Sequence, residues 1–119
     1  MDTELKRLKI IEAAEEAKAE DINALDLRGK TLIADYFVIC TGTSDVHIRS
    51  VADKIQEALE QEGERVLRVE GYREATWVLL DYGDIVIHIM RREQREHYGL
   101  EAFWHNAPLI ESLREHVRG

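Results

Sequence analysis

The 119-residue sequence predicts an α/β (α+β) domain, with a mixed five-stranded sheet flanked by helices. Segments with apolar residues at helical spacing alternate with short runs of β-branched and aromatic residues, in the order α β β α β β β α α. A helix separates the second strand from the third, so the sheet needs at least one crossover connection. The length and the 45% hydrophobic content fit a single domain over residues 1–119.

The first part of the chain is predicted to form a helix and two strands. The helix covers residues 4–19, and the apolar stripe that predicts it consists of Leu5, Leu8, Ile11 and Ala14. A short strand over residues 22–27 ends at the turn residue Gly29. The next strand is the apolar run over residues 36–41.

The second helix is predicted to begin at Ser44 and to end at Gly63, which suits a left-handed conformation. A strand that leads through glycine into a helix often binds phosphate, because free backbone N–H groups and the helix dipole point there. Here Gly42 is the only glycine of the junction, and no lysine follows it. The sequence therefore favours Ser44 as a helix cap over an anion site.

Three further strands are predicted, over residues 65–70, 76–81 and 85–90. The last two form a hairpin because only a short glycine-containing turn separates them. If Tyr82-Gly83 is its two-residue loop, then Trp77 lies opposite His88 on the same side of the sheet.

The chain after Arg91 is predicted to be helical again. Gly99 interrupts this region, and Pro108 suits the first turn of a last helix. Residues 105–119 are therefore expected to form a helical C-terminal extension of the domain.

The two faces of the hairpin differ in composition. One is wholly apolar and suits contact with the helices: it holds Val78, Leu80, Ile85, Ile87 and Ile89. The other holds Trp77, Leu79, Asp81, Asp84, Val86, His88 and Met90. A tryptophan among aliphatic residues with carboxylates at the rim is typical of the centre of a protein interface. The pattern leaves open whether a partner covers this face or the C-terminal segment does, through Phe103 and Trp104.

Charge and cysteine content restrict the class of protein. The formal net charge of −8 repels nucleic acid, so we expect a basic protein partner and no direct DNA binding. The single cysteine, Cys40, lies in an apolar strand, which predicts a packed thiol in a reducing cytoplasm. No segment resembles a secretory signal or a transmembrane helix, so we expect a cytoplasmic protein without membrane contact.

The sequence offers little for catalysis. The Gly42-Thr43-Ser44 turn resembles the Gly-Ser turn of nucleotidyltransferases, whose magnesium site needs two carboxylates one residue apart on a strand. No predicted strand carries such a pair, and the five histidines lack paired ligand spacing. We expect no enzyme activity, no cofactor and no metal. A divergent nucleotidyltransferase that uses Asp81 and Asp84 is the alternative, although turns favour aspartate for local hydrogen bonding.

A series of short motifs runs in one order through the chain, most densely over residues 21–104. They are Asp21-Ile22 with Ala24-Leu25-Asp26-Leu27 and Gly29-Lys30, the run from Asp35 to Ser44 with His47, Ala52-Asp53, Glu70-Gly71, the run from Trp77 to Asp81 with Gly83-Asp84 and on to Met90, and Tyr98, Leu100, Glu101 and Trp104. In these motifs the chain closely resembles the ribosomal silencing factor family, RsfS, also called Iojap.

The resemblance implies a nucleotidyltransferase-like fold without the catalytic carboxylates, and a binding protein rather than an enzyme. Members of the family bind the large ribosomal subunit through ribosomal protein L-fourteen (uL-fourteen). They occupy a face that the small subunit needs, which blocks subunit joining and lowers translation when nutrients are scarce. The resemblance also implies a homodimer in the free protein. A large-subunit assembly factor is an alternative that the sequence leaves open.

The predicted contact with the ribosomal partner is the sheet face that carries Trp77. Its apolar centre is Trp77, Leu79, Val86 and His88, and its acidic rim is Glu70, Asp81 and Asp84. Tyr82 and Gly83 at the hairpin tip extend this patch, since glycine lets a partner's backbone come close.

Overall fold

A mixed β-sheet forms the centre of the computed structural model, which describes residues 1–103 and 109–111. Its strands are β1 (Glu20–Asp26), β2 (Tyr36–Thr41), β3 (Arg68–Glu70), β4 (Trp77–Asp81), β5 (Ile85–Met90) and β6 (Leu109–Glu111). They lie in the order β3-β4-β5-β2-β1-β6. β2 and β5 pair in parallel, whereas the other neighbouring strands are antiparallel. The prediction of a mixed sheet with a crossover is confirmed.

The prediction of a C-terminal helix is wrong for the residues that form strand β6. Residues Leu109–Glu111 pair with β1 as an antiparallel strand, where the sequence predicts a helix that begins at Pro108. The free edge of β1 offers unpaired backbone groups, and pairing them outweighs the local helix signal. The other residues of the predicted extension lie outside the described part of the chain.

Two helices, α1 (Thr3–Glu16) and α2 (Asp45–Glu60), cover one face of the sheet. Ile10 of α1 and Ile48 of α2 belong to the same core cluster as Val78 and Ile87 of the hairpin. This is the wholly apolar face that the sequence predicts. Two short helices, α3 (Arg92–Tyr98) and α4 (Leu100–Phe103), follow β5. None of the helices in the described residues is long and apolar enough to cross a lipid bilayer.

The orientation of α1 differs from the predicted stripe. Leu5 and Leu8 are 46% and 50% exposed, while Lys6 and Arg7 are buried. The burial of Lys6 is tolerated because its ammonium group pairs with Asp84 Oδ1 at 2.8 Å and with Glu64 Oε1 at 3.1 Å. The Arg7 guanidinium lies 5.4 Å from the centre of the Tyr36 ring. The buried side of α1 therefore carries Lys6 and Arg7, whereas helical spacing alone predicts that Leu5 and Leu8 are buried.

The start of α2 is closed by local hydrogen bonds. Ser44 Oγ accepts the N–H of His47 at 3.1 Å, so the predicted cap is confirmed. The N–H of Thr43 donates to His47 Nδ1 at 3.0 Å, and the N–H of Gly42 donates to the Met90 carbonyl at 3.1 Å. Because these three N–H groups already have acceptors, they are not free to bind a phosphate.

The β4–β5 hairpin has a different register from the predicted one. Tyr82 N–H donates to the Ile85 carbonyl at 2.9 Å, so the two-residue loop is Gly83-Asp84 rather than Tyr82-Gly83. Gly83 has φ +89°, and glycine at the first loop position is the requirement of a type II′ turn. The register thus moves by two residues, and Trp77 lies opposite Met90. A shift of two residues keeps every strand residue on its predicted face.

Candidate functional site

The sheet face opposite α1 and α2 carries most of the predicted contact residues. We call it the Trp77 face, and its members on β3, β4 and β5 are Arg68, Glu70, Trp77, Leu79, Asp81, Val86 and His88. Directly opposite strand residues point to the same side. Leu79 lies opposite Glu70 on one neighbouring strand and opposite His88 on the other. The structure therefore brings together Glu70 and the five predicted residues of β4 and β5.

Trp77 is the largest residue of this face and is half-buried. Its indole Nε1–H donates a hydrogen bond to His88 Nδ1 at 3.0 Å. His88 is 4% exposed, and its ring centre lies 4.6 Å from that of Phe37 on β2. Burial lowers the pKa of His88 to about 4, so its imidazole is neutral at physiological pH. The apolar centre of the face is thus built around a neutral histidine.

Tyr98, at the end of α3, is a member of this region to which the sequence analysis assigned no role. Its ring centre lies 4.9 Å from that of Trp77, and it is 55% exposed. Two exposed or half-exposed aromatic rings therefore stand side by side. The residue lies in one of the quoted motifs, but no periodicity in the sequence indicates that α3 returns to β4.

Leu100, in the segment that follows α3, covers part of the Trp77 face. Leu100 packs against a second core cluster that includes Phe37, Val86 and Met90. Val86 is only 7% exposed, whereas Trp77 and Leu79 are half-buried. The accessible part of the face is therefore narrower than predicted and lies towards β4. The side chains of Phe103 and Trp104, which the sequence analysis named as the cover, lie outside the described part of the chain.

A polar network holds α3 and α4 against the sheet. Arg95 Nη1 donates to Thr41 Oγ1 on β2 at 2.8 Å, and Arg95 Nε donates to Glu101 Oε1 at 3.0 Å. Asn23 Nδ2 on β1 donates to Glu101 Oε2 at 2.6 Å. These bonds connect both short helices to the strands. They fix the segment that places Tyr98 beside Trp77.

The rim of the Trp77 face carries a cation as well as carboxylates. Arg68 Nε lies 3.2 Å from Glu70 Oε2, and Arg68 Nη2 lies 3.5 Å from Asp81 Oδ2. The sequence analysis did not include Arg68, although strand alternation places residues 68 and 70 on the same side. Both rim carboxylates are thus partly neutralised in the free protein.

Two predicted contact residues, Tyr82 and Asp84, do not belong to the Trp77 face. Tyr82 is 6% exposed within the core cluster of α1 and α2, and burial raises the pKa of its phenol to about 12. The Asp84 carboxylate binds Lys6 Nζ and the Thr3 hydroxyl of α1, at 2.8 and 2.6 Å. Partial burial acts to raise the pKa of Asp84, but these hydrogen bonds outweigh it and lower the pKa. The changed hairpin loop is the reason for both differences.

Gly83 stays at the tip of the hairpin, as predicted. Its N–H donates to Asp81 Oδ1 at 2.8 Å, which is the local turn bond that the sequence analysis expected of an aspartate there. Asp81 also pairs with Arg68 on one side of the sheet, whereas Asp84 pairs with α1 on the other. The two carboxylates thus bind partners on different sides of the sheet, an arrangement that does not favour a magnesium site shared by Asp81 and Asp84.

The described residues show no other arrangement typical of catalysis. Cys40 is fully buried, and burial raises the pKa of its thiol to about 12, which keeps it protonated at neutral pH. Within residues 1–103 and 109–111, no group of three or more His, Cys, Asp or Glu side chains is placed to hold a metal ion. The Trp77 face, with its neighbouring rings of Trp77 and Tyr98, suits binding to a protein.

A family model described as "Ribosomal silencing factor during starvation" matches residues 2–119. The chain belongs to the ribosomal silencing factor family. The ribosomal silencing factor RsfS of Bacillus subtilis is 45% identical over 105 residues, which cover 87% of this chain and 89% of that protein. The mouse protein named mitochondrial assembly of ribosomal large subunit protein 1 is 31% identical over 98 residues, or 80% of this chain and 43% of that one.

Solved structures agree with this membership of the silencing factor family. A crystal structure of a protein from Chromobacterium violaceum superposes with a TM-score of 0.86 at 32% sequence identity, covering 88% of each chain. The α+β fold with a mixed sheet is therefore shared within the family. The family name describes a ribosome-associated factor and not an enzyme.

Proposed function

We propose that this protein represses translation by binding the large ribosomal subunit through ribosomal protein L-fourteen (uL-fourteen) and sterically blocking the small subunit. The observation that carries the proposal is the Trp77 face, where a half-buried tryptophan is held by His88 on a sheet side not covered by α1 and α2. Membership of the ribosomal silencing factor family supports the ribosome as the target.

The physical requirements of such a repressor are modest. A tryptophan anchored in a partly desolvated patch is a common centre of binding energy. The net charge of −8 favours approach to a basic ribosomal protein, and Glu70 and Asp81 provide carboxylates at the rim. Steric occlusion of the small subunit needs a docking surface and no chemical step.

The homodimer expected of the free protein would compete with docking if it uses the same face. Leu79 and Trp77 are half-buried in the single chain, so a second copy has apolar area to cover there. In that case the dimer must dissociate before the protein binds the ribosome. Sedimentation of the free protein over a range of concentrations measures this equilibrium.

The test of the proposal is sedimentation of the purified protein with isolated large subunits, small subunits and a mixture of the two. We expect it to migrate with the large subunit and to reduce the amount of joined ribosomes. Migration with neither subunit would overturn the proposal.

The Trp77→Ala variant tests the docking face. We expect it to weaken binding to the large subunit by about 2 kcal/mol or more while leaving the fold intact, because a central tryptophan is lost. Tyr72→Ala is the matched control, since Tyr72 is 37% exposed and bonds Asp53 on the side of α2. If Trp77→Ala binds as the control does, the interface lies elsewhere.

A role in large-subunit assembly is the second candidate. It is favoured by the similarity to the mouse protein named for mitochondrial assembly of the large ribosomal subunit. Both roles need the same docking surface, so a deletion strain has to separate them. Accumulation of immature large subunits would support assembly, whereas normal subunits with excess joined ribosomes during starvation would support silencing.

A further inference from the structure

We propose that His88 is a positioning residue that holds the Trp77 indole in the orientation that the partner binds, without contacting the partner itself. The inference deepens the proposed function and rests on Trp77 as the docking anchor. It follows from a hydrogen bond, from the burial of one histidine and from a polar atom that lacks a partner.

The hydrogen bond defines the state of the histidine. The indole Nε1–H is a donor only, so His88 Nδ1, at 3.0 Å, must be the acceptor and carry no proton. A neutral imidazole then has its proton on Nε2. The acceptor that Trp77 needs therefore exists in one tautomer of His88.

The histidine is held firmly in this place. On β5 it lies opposite Leu79 of β4 and opposite Ile39 of β2, so strands flank it on both sides. Its ring centre lies 4.6 Å from that of Phe37 and 5.9 Å from that of Trp77. A side chain that is 4% exposed among these neighbours offers a fixed acceptor to a half-buried indole.

A histidine at position 88 stabilises the folded protein less than an aliphatic residue would. Among the described residues, His88 Nε2 is buried and finds no hydrogen-bond partner. A buried N–H without an acceptor destabilises the folded state, and an aliphatic side chain of similar size avoids this cost. Residues that lower stability locally without an evident structural gain are expected at functional sites. The gain here is the orientation of Trp77.

The orientation of Trp77 affects binding because an indole without a hydrogen-bond acceptor can adopt several rotamers on this face. Without an acceptor at Nδ1, the indole N–H of the half-buried Trp77 would turn to water, and the ring would sample further rotamers beside Tyr98. A partner would then have to immobilise the ring upon binding. Fixing a side chain in its bound conformation beforehand removes that entropy loss and tightens binding.

The test compares two substitutions of His88 in the full chain. His88→Leu removes the acceptor, whereas His88→Asn keeps a side-chain oxygen near the position of Nδ1. Met90→Leu is the matched control, because Met90 is fully buried and lies opposite Trp77 without bonding its indole. The readouts are affinity for isolated large subunits, stability to denaturant at neutral pH, and the NMR signal of the Trp77 indole N–H, assigned by its loss in Trp77→Ala.

We expect His88→Leu to weaken binding about tenfold, with stability at least equal to that of the wild type. Its indole signal should shift to that of a water-exposed indole and exchange faster with solvent. His88→Asn and Met90→Leu should keep the signal and most of the affinity. A residue with only a structural role would lower stability and affinity together, and that result would overturn the proposal.

A double-mutant cycle separates this inference from the proposed function. In the Trp77→Ala background, His88→Leu should cause no further loss of affinity, because the side chain that it positions is absent. An equal loss in both backgrounds would overturn the positioning role while leaving the docking face intact. If Trp77→Ala itself binds as the wild type does, the proposed docking face fails, and the inference fails with it.

Discussion

At the scale of single residues, the Trp77 face depends on contacts that the sequence shows only in part. Trp77, Leu79 and His88 were predictable because strand alternation places them on one side. Arg68 was not assigned, although strand alternation places it on the same side as Glu70. Tyr98 was not assigned because its contact with Trp77 depends on the path of α3. Tyr82 and Asp84 were placed on the wrong side because the loop begins one residue later than predicted.

Arg68 partly neutralises the rim, which gives a prediction for the rate of association. Arg68→Gln frees the carboxylates of Glu70 and Asp81, so we expect binding to large subunits to become about two- to fivefold faster at low salt. Stopped-flow measurement at two salt concentrations checks this. Arg73→Gln is the control, because it removes the same charge near α2. A slower association than in the control would contradict an electrostatic rim.

His88 gives a prediction for stability against pH. Its pKa is about 4 in the folded protein and near its ordinary value of 6.5 in the unfolded chain, so between these values the unfolded chain binds more protons. The free energy of unfolding should therefore fall by about 3 kcal/mol as the pH is lowered from 6.5 to 4. Denaturant titrations should show the wild type losing stability more steeply than His88→Leu over this range, because the variant lacks the titrating imidazole. Equal slopes in both proteins would show that His88 does not titrate as expected.

At the scale of elements, the strands were easier to predict than their contacts. β2 and β5 have the bounds that the apolar runs predict, Tyr36–Thr41 and Ile85–Met90. Which side of α1 is buried was not predictable from its own sequence. Burial of the Lys6 ammonium group is tolerated only because it pairs with the carboxylates of Asp84 and Glu64. Those partners are distant in sequence, and helical periodicity contains no information about them.

The Lys6 cluster connects α1 to the hairpin loop, and this connection can be measured. Lys6→Met leaves the Asp84 and Glu64 carboxylates without their ammonium partner, so we expect a loss of about 2 kcal/mol in the free energy of unfolding. Lys9→Met is the control on the same helix, since Lys9 makes an exposed pair with Glu62. Chemical denaturation at neutral pH compares them. Equal stability of the two variants would show that the buried pairs contribute nothing beyond a surface pair.

At the scale of the whole molecule, fold class was predictable and strand order was not. The alternation of helices and strands indicates a mixed sheet, but several orders satisfy the same pattern. The likeness to the nucleotidyltransferase fold that the resemblance implies stays a prediction. The net charge of −8 acts on the molecule as a unit, and it was available from composition alone.

That charge gives a prediction for salt dependence. Affinity for the large subunit should decrease as ionic strength rises, because attraction between an acidic protein and a basic ribosomal surface is screened. Sedimentation with large subunits at two salt concentrations measures it. Binding that does not respond to salt would contradict the electrostatic part of the proposed function.

The parallel pairing of β2 with β5 has a consequence for the protein's own synthesis. β2 lies in the middle of the sheet, and β5, its neighbour on one side, is made only after α2, β3 and β4. Until β5 leaves the exit tunnel, the emerging chain cannot complete the sheet, and Tyr98 comes later still. The Trp77 face therefore forms only after β5 and Tyr98 have both left the exit tunnel. A nascent chain shorter than this cannot present the paired rings of Trp77 and Tyr98 to any partner.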